Sequence, residues 1–189
     1  MTILGISGSL REHSFNTGLL RSAQATSPDG VTITIADLSA IPLYSGDLEE
    51  DGVPAAVLAF KDEIREADAL LFATPEYNFS IPGVLKNAID WASRPHTESP
   101  FAGKPAAVMG AGGIMGTVRA QLHFRQLASA LNMLLLNRPE VLIQRANEKF
   151  HSDGSVKDPE VEERVAKLVA ALVEWTELLK RGVAHEVLL

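Results

Sequence analysis

Three apolar runs rich in Ile, Leu, Val and Ala each stop at a small or polar residue: Thr2 to Ile6 before Ser7, Ala69 to Ala73 before Thr74, and Ala106 to Met109 before Gly110. None of them alternates. Continuous apolar runs of about four to eight residues suit strands buried on both faces, as in a parallel sheet covered by helices; a buried helical segment gives the same signal. Val31 to Ala36 reads as a further strand, and either Leu134 to Leu136 or Val141 to Ile143 completes the sheet. Helical patterns lie between the strands. One starts near Ser14 and carries Leu19, Leu20 and Ala23; a second begins at Pro54 with Val57, Leu58, Phe60, Ile64 and Ala67. Ser80 before Ile81-Pro82 is an N-cap signal for a third, with Leu85, Ala88, Ile89 and Ala92 at helical spacing. A fourth runs from about Gly116 to Leu131. Asp158-Pro159-Glu160 opens the last with a cap, a proline at the first position and acid near the positive end of the helix dipole. Its stripe of Val161, Val165, Leu168, Leu172, Trp175 and Leu179 reads as core packing. Strands alternating with helices predict an α/β doubly wound parallel sheet with right-handed crossovers. Ligands of such sheets bind at the carboxyl ends of the strands, where the strand order reverses. The polar stretch Tyr44 to Gly52 reads as a surface loop.

The 189 residues, 46% hydrophobic and 22% charged, suit one folded domain. A formal net charge of −7 is the wrong sign for a chain that neutralises many phosphates, so no nucleic-acid partner is expected. There is no Cys, which excludes disulfides, thiolate metal sites and cysteine nucleophiles. The longest uncharged stretch, Pro105 to Val118, has 14 residues, five of them Gly or Pro; it is too short and too broken to cross a bilayer, and no membrane partner is expected. Met1 to Ile6 has no basic lead-in and runs too soon into a Gly/Ser/Arg loop for a signal peptide, which predicts a cytoplasmic protein. His13, His96, His123, His151 and His185 show no metal-ligand spacing, and no Gly-x-Ser-x-Gly elbow is present, which argues against a hydrolase.

Chemistry is therefore sought in the three loops at the strand ends. Ser7 to Asn16 follows a strand and opens a helix, offering the hydroxyls of Ser7, Ser9 and Ser14, the Asn16 amide, the Arg11 guanidinium and helix N-terminal amides. That set suits a phosphate cradle; it equally suits a capped turn with an exposed Arg. Neither the Gly-Lys-Ser/Thr of a P-loop nor the dinucleotide fingerprint is present, and Asp37 reads as a loop cap rather than a ribose-binding acid. Thr74 to Ser80 brings Pro75, Asn78 and the flat side chains of Tyr77 and Phe79. Gly110 to Gly116 lets backbone approach a planar ligand, or serves as a mobile connection. A cradle, an aromatic turn and a glycine turn at one sheet edge, with no evident acid, base or nucleophile, suit a site whose cofactor carries the reaction.

These residues resemble a known family. Gly8-Ser9-Leu10-Arg11 with Ser14-Phe15-Asn16 resembles the phosphate loop of the NADPH-dependent FMN reductases, whose fold is flavodoxin-like. Thr74-Pro75-Glu76-Tyr77-Asn78 and Ile81 to Trp91 are similar to that family's second signature, Gly116 to Gln126 to its third, and Ile41-Pro42-Leu43-Tyr44 to the segment after its second strand. The likeness spans roughly residues 2 to 150 and is nearest to the chromate and quinone reductase branch. It implies a five-stranded parallel sheet in the order 2-1-3-4-5 with helices on both faces. It also implies FMN held by Ser9, Leu10, Arg11, Ser14, Phe15 and Asn16 at the phosphate and by Pro75, Glu76, Tyr77 and Asn78 at the ring, with Gly110, Gly112 and Gly113 over its other side. Many relatives carry a hydroxyl near Gly110 or Ala111, and this chain leaves backbone donors there instead. The implied reaction passes electrons from NADPH or NADH through FMN to a quinone, free flavin, azo compound or metal oxyanion such as chromate, with no catalytic side chain. A homodimer or homotetramer is implied, its interface beside Tyr77 to Ile81. Lys86, Asn87 and Asp90 lie in the second signature and are assigned helix or partner-subunit contacts, not catalysis. A flavodoxin-type electron carrier is the alternative; a phosphoacceptor regulatory domain would need acid where Ser7-Gly8-Ser9 stands.

Overall fold

Parallel strands β1 (Thr2–Ser7), β2 (Thr32–Ile35), β3 (Ala69–Ala73), β4 (Pro105–Ala111) and β5 (Leu134–Leu135) follow one another across a sheet in the order β2-β1-β3-β4-β5, and β6 (Val141–Ile143) also pairs with β4. The structure, a computed structural model, describes residues 1–183, with the side chain of residue 183 excepted; His185 lies outside the described residues. Seven α-helices complete the described chain: α1 (Phe15–Ala25), α2 (Gly46–Glu50), α3 (Ala55–Glu66), α4 (Gly83–Ala92), α5 (Val118–Ala130), α6 (Ala146–Lys149) and α7 (Pro159–Val183). No helix among the described residues is long and apolar enough to cross a membrane.

The strand runs do not alternate because both faces are covered. Ile3, Leu71, Ala107 and Met109 face Leu19 and Leu20 of α1 and Val165, Leu168 and Leu172 of α7. Their neighbours Leu4, Ile6, Leu70, Phe72 and Val108 face Phe60 and Ile64 of α3, Leu85 and Ile89 of α4, and Phe124 of α5. Each large apolar side chain removed from water contributes about 1.5–3 kcal/mol, so two buried faces lock the register of every central strand. Helix α7 opens as expected: Asp158 accepts the Glu160 amide at 3.0 Å, and the stripe from Val161 to Leu172 is core.

Several expectations need correction. The fifth ladder is shared, since β5 pairs with Pro105 and Ala106 while β6 pairs with Met109 to Ala111. The interruption falls at residues 136–140, where Pro139 has no N–H to give to a ladder. Ser80 does not cap α4, which starts at Gly83 behind Pro82; its backbone is taken by a bridge to Tyr77. Leu58 lies on the solvent side of α3, and Tyr44 to Gly52 contains the short helix α2 rather than loop alone. Tyr44 packs edge-on against Trp91, with ring centroids 5.0 Å apart. Asp37 caps a turn as expected, accepting the Ser39 amide at 2.9 Å.

Candidate functional site

The loop after β1 is shaped by its own hydroxyls. Ser7 Oγ lies 2.8 Å from Thr17 Oγ1 and accepts the Ser9 amide at 3.3 Å, while Ser9 Oγ accepts the Arg11 amide at 3.3 Å. Ser14 stands at the N-cap of α1 in extended conformation, its Oγ 3.4 Å from the Thr17 amide. The first-turn amides of α1 have no carbonyl a turn behind them, so donors and the positive end of the helix dipole face the loop. Arg11 reaches over the Phe15 ring, 5.6 Å from its centroid, and Phe15 in turn lies against Phe150 at 4.8 Å.

After β3 the chain forms a two-residue turn. Tyr77 and Ser80 exchange backbone hydrogen bonds at 3.0 Å, which puts Asn78 and Phe79 at φ 50° and 64°. Asn tolerates that region; a bulky aromatic rarely adopts it. The turn leaves Tyr77 53% and Phe79 63% exposed. After β4, Gly112 and Gly113 accept the amides of Ala146 and Arg145 at 2.9 Å, tying the glycine loop to the segment that follows β6. A Cβ at Gly110 would collide with Thr117 Oγ1 and the Thr74 carbonyl, which is the physical reason for glycine at that position.

Two side chains join the loops. Asn16 donates Nδ2 to the Ala111 carbonyl at 3.0 Å and accepts the Ala111 amide on Oδ1 at 2.9 Å, both buried. Glu76 Oε2 accepts the amides of Arg119 at 2.8 Å and Ala120 at 3.1 Å.

The loops meet around a cavity of about 330 Å³. Ser9, Arg11, Ser14, Phe15 and Asn16 wall one part; Pro75, Glu76, Tyr77, Gly112 and Gly113 wall another. Leu10 is not among the lining residues and is largely exposed. Gly110 lies beneath the wall, against Thr74 and Thr117. Asn78 belongs to a second cavity of about 520 Å³ with Phe79, Ile114, Met115, Gly116 and Arg119, which shares Glu76 and Gly113 with the first. Ala146 and Asn147 in the first cavity and Arg119 in the second lie outside the three loops that the sequence singles out, while Ala111, Ile114 and Met115 belong to the glycine loop among them. The carboxyl-edge rule that pointed to the other loops, applied to Val141 to Ile143, leads to Ala146 and Asn147.

Lys86 and Asp90 pair with each other along α4 at 2.7 Å. Asn87 accepts the Tyr44 amide and donates to the Pro42 carbonyl, both at 2.8 Å, and Trp91 Nε1 donates to that carbonyl at 2.9 Å. Asn87 and Trp91 thus hold the segment after β2 in place. Among the described residues no group of three His, Asp or Glu is arranged to hold a metal ion.

The donor set fits FMN. Hydroxyls, amides and a guanidinium suited to a phosphate gather at one end, and the flat walls of Tyr77 and the glycine loop suit a planar ring, with open space where a Cβ would stand at Gly113. A doubly wound sheet in this order, with such a cradle where β1 and β3 diverge in connection, defines a flavodoxin-like mononucleotide-binding protein. The chain belongs to the NADPH-dependent FMN reductase family, whose sequence profile matches residues 1–148. It is 51% identical over 179 residues to an NAD(P)H-dependent FMN reductase of Pseudomonas aeruginosa, covering 94% of this chain and 96% of that one. An NADPH:quinone oxidoreductase of Arabidopsis thaliana is 42% identical over 180 residues, covering 92% and 91%. A solved structure of FerB, a flavoenzyme NAD(P)H:(acceptor) oxidoreductase of Paracoccus denitrificans, superposes with a TM-score of 0.82 at 36% identity, covering 93% and 97%.

Proposed function

We propose that this chain is an FMN-dependent NAD(P)H oxidoreductase that delivers electrons to quinones and free flavin, with azo compounds and metal oxyanions such as chromate as further acceptors. The observation that carries the reading is the convergence, in one cavity, of an anion cradle at the start of α1 with a flat slot between Pro75, Tyr77 and the glycine loop. Bound FMN supplies the two-electron chemistry, taking hydride from NADPH or NADH and returning the electrons to the acceptor. Ser9, Ser14, Arg11 and the α1 amides hold the phosphate, where charge-assisted bonds give both affinity and register. Pro75, Glu76, Tyr77, Gly112 and Gly113 orient the ring. The second cavity, which shares Glu76 and Gly113 with the first and is walled also by Phe79, Ile114 and Met115, admits nicotinamide and acceptor in turn. No side chain is required as a general base.

We also read the chain as one domain acting in the cytoplasm, where reduced nicotinamide is available, and as at least a dimer. Tyr77, Phe79, Ile114, Met115 and Leu122 are each half-exposed or more, and such a cluster of large apolar side chains suits an interface beside the second cavity. Tyr77→Ala is expected to impair quinone reduction more than FMN binding. Light scattering that returns a 20.3 kDa particle at working concentrations would overturn the dimer. The function itself is tested by the colour of the purified protein, by FMN released on denaturation, and by steady-state oxidation of NADPH with benzoquinone. A colourless protein that neither takes up added FMN nor oxidises NADPH would overturn it.

A further inference from the structure

Helix α5 begins without a cap of its own. Thr117 stands at its N-cap but gives no side-chain bond to the first turn; its buried hydroxyl instead receives Gln121 Nε2 at 3.0 Å. The cap comes from a different loop, 43 and 44 residues earlier in the chain, where Glu76 Oε2 takes the Arg119 and Ala120 amides. Its other oxygen lies 3.4 Å from Arg119 Nη1, whose guanidinium also stacks over the Phe79 ring at 4.2 Å. The Glu76 side chain is only 10% exposed, so these bonds are made out of competition with bulk water. A carboxylate placed on first-turn amides satisfies donors that the helix leaves unpaired and meets the positive end of its dipole.

The position of this bond gives it a second consequence. Glu76 is a wall of both cavities, and the helix that it caps begins directly after the glycine loop, which also walls both. The bond therefore fixes the aromatic turn against the glycine loop across the slot between them. We propose that Glu76 is a positioning residue, a clasp that caps α5 from the aromatic turn and sets the width of the slot and the wall of the second cavity together. The proposal rests on the FMN reading above for its functional consequence and on the hydrogen bonds alone for the clasp.

Three variants test it, read by hydrogen exchange, FMN titration, quinone kinetics and thermal melting. Glu76→Ala is expected to speed hydrogen exchange at the Arg119 and Ala120 amides in flavin-free protein by about tenfold or more. It is also expected to raise the Kd for FMN about five- to thirtyfold, the upper part of the range that follows from losing a helix cap. At saturating FMN its KM for quinone rises while kcat stays within about threefold. Glu76→Gln keeps an acceptor oxygen for both amides and loses the charge; it is expected to recover FMN affinity to within about threefold of the parent. Lys104→Met removes the ammonium that donates to the Arg65 and Ala67 carbonyls at the far end of the sheet, and so lowers the melting temperature with FMN affinity within about twofold. Parental exchange in Glu76→Ala overturns the clasp. Parental FMN affinity despite faster exchange, a Gln variant as weak as the Ala variant, or an equal loss of affinity in Lys104→Met overturns its role at the site. A parent protein that binds no FMN overturns the functional reading instead, and the exchange experiment still decides the clasp.

Discussion

Among the described residues Arg11 is the one guanidinium on the wall of the first cavity, and its contact there is the face of Phe15 rather than a carboxylate. A cation so placed is available to a dianionic phosphate. A hydrogen bond to a charged group contributes about 1.5–3 kcal/mol, so Arg11→Ala should weaken FMN binding about ten- to 150-fold in a fluorescence titration. Unchanged affinity would remove Arg11 from the site. Phe79 shows the opposite economy: a bulky side chain held at φ 64° costs on the order of 1–3 kcal/mol, and its ring is spent on the mouth of the second cavity and the Arg119 guanidinium rather than on the core. Such strain persists where function needs the ring outside.

Among elements, α1 is closely packed by a segment distant in sequence. The segment closed by the Phe150 and Val156 bridge presses the Gly154 carbonyl onto Gly18, and Phe150 onto Phe15. A Cβ at Gly18 would overlap that carbonyl, so Gly18→Ala must push the segment away. Overpacking of this kind costs about 1–3 kcal/mol, and we expect a fall of several degrees in Tm together with weaker FMN retention. A Gly18→Ala protein that melts with the parent would show that the segment yields freely. The sequence made β1, β3 and α1 legible because Thr2 to Ile6, Ala69 to Ala73 and the run from Ser14 carry their own period and cap. It did not reveal the clasps made by Asn16 and Glu76, since a bond between residues 95 apart, or 43 apart, leaves no local period. Ser80 misled for a related reason: a good capping side chain lost to a turn whose backbone bonds come from Tyr77. The two strands after Leu131 were each visible, and only the shared length of β4 shows that both are used.

At the scale of the molecule, the end of the sheet remote from the cavities is fastened by charge. Asp68 accepts the Thr2 amide at 2.7 Å and the Lys180 ammonium at 2.5 Å, joining β1, β3 and α7. The Lys180 bond first, then the Thr2 amide, hold its carboxyl below the usual carboxylate range. A depressed carboxyl stabilises the fold above its unfolded value of about 3.9, and that contribution is lost as pH falls through the lower folded value. Lys180 is half-exposed, so the pair is worth about 0.5–1 kcal/mol. Asp68→Asn should therefore lower Tm at pH 7 by about 1–4 °C, with the gap closing below about pH 4, and leave turnover per bound FMN unchanged. A gap that stays constant into acid would refute the ionic origin. Burial pushes the Lys104 ammonium the other way, below 10.5, so desolvation offsets part of what its bonds to the Arg65 and Ala67 carbonyls contribute at neutral pH, and that offset is relieved as pH rises through its folded value. The divided ladder beside β4 matters beyond the single chain. One margin of the sheet ends in strands of two and three residues separated by Pro139, with Arg138 and Glu140 paired outside it, and the other in the four-residue β2. Neither margin offers a long row of free amides and carbonyls to a neighbouring chain, so copies of this protein cannot readily zip together edge to edge into fibres.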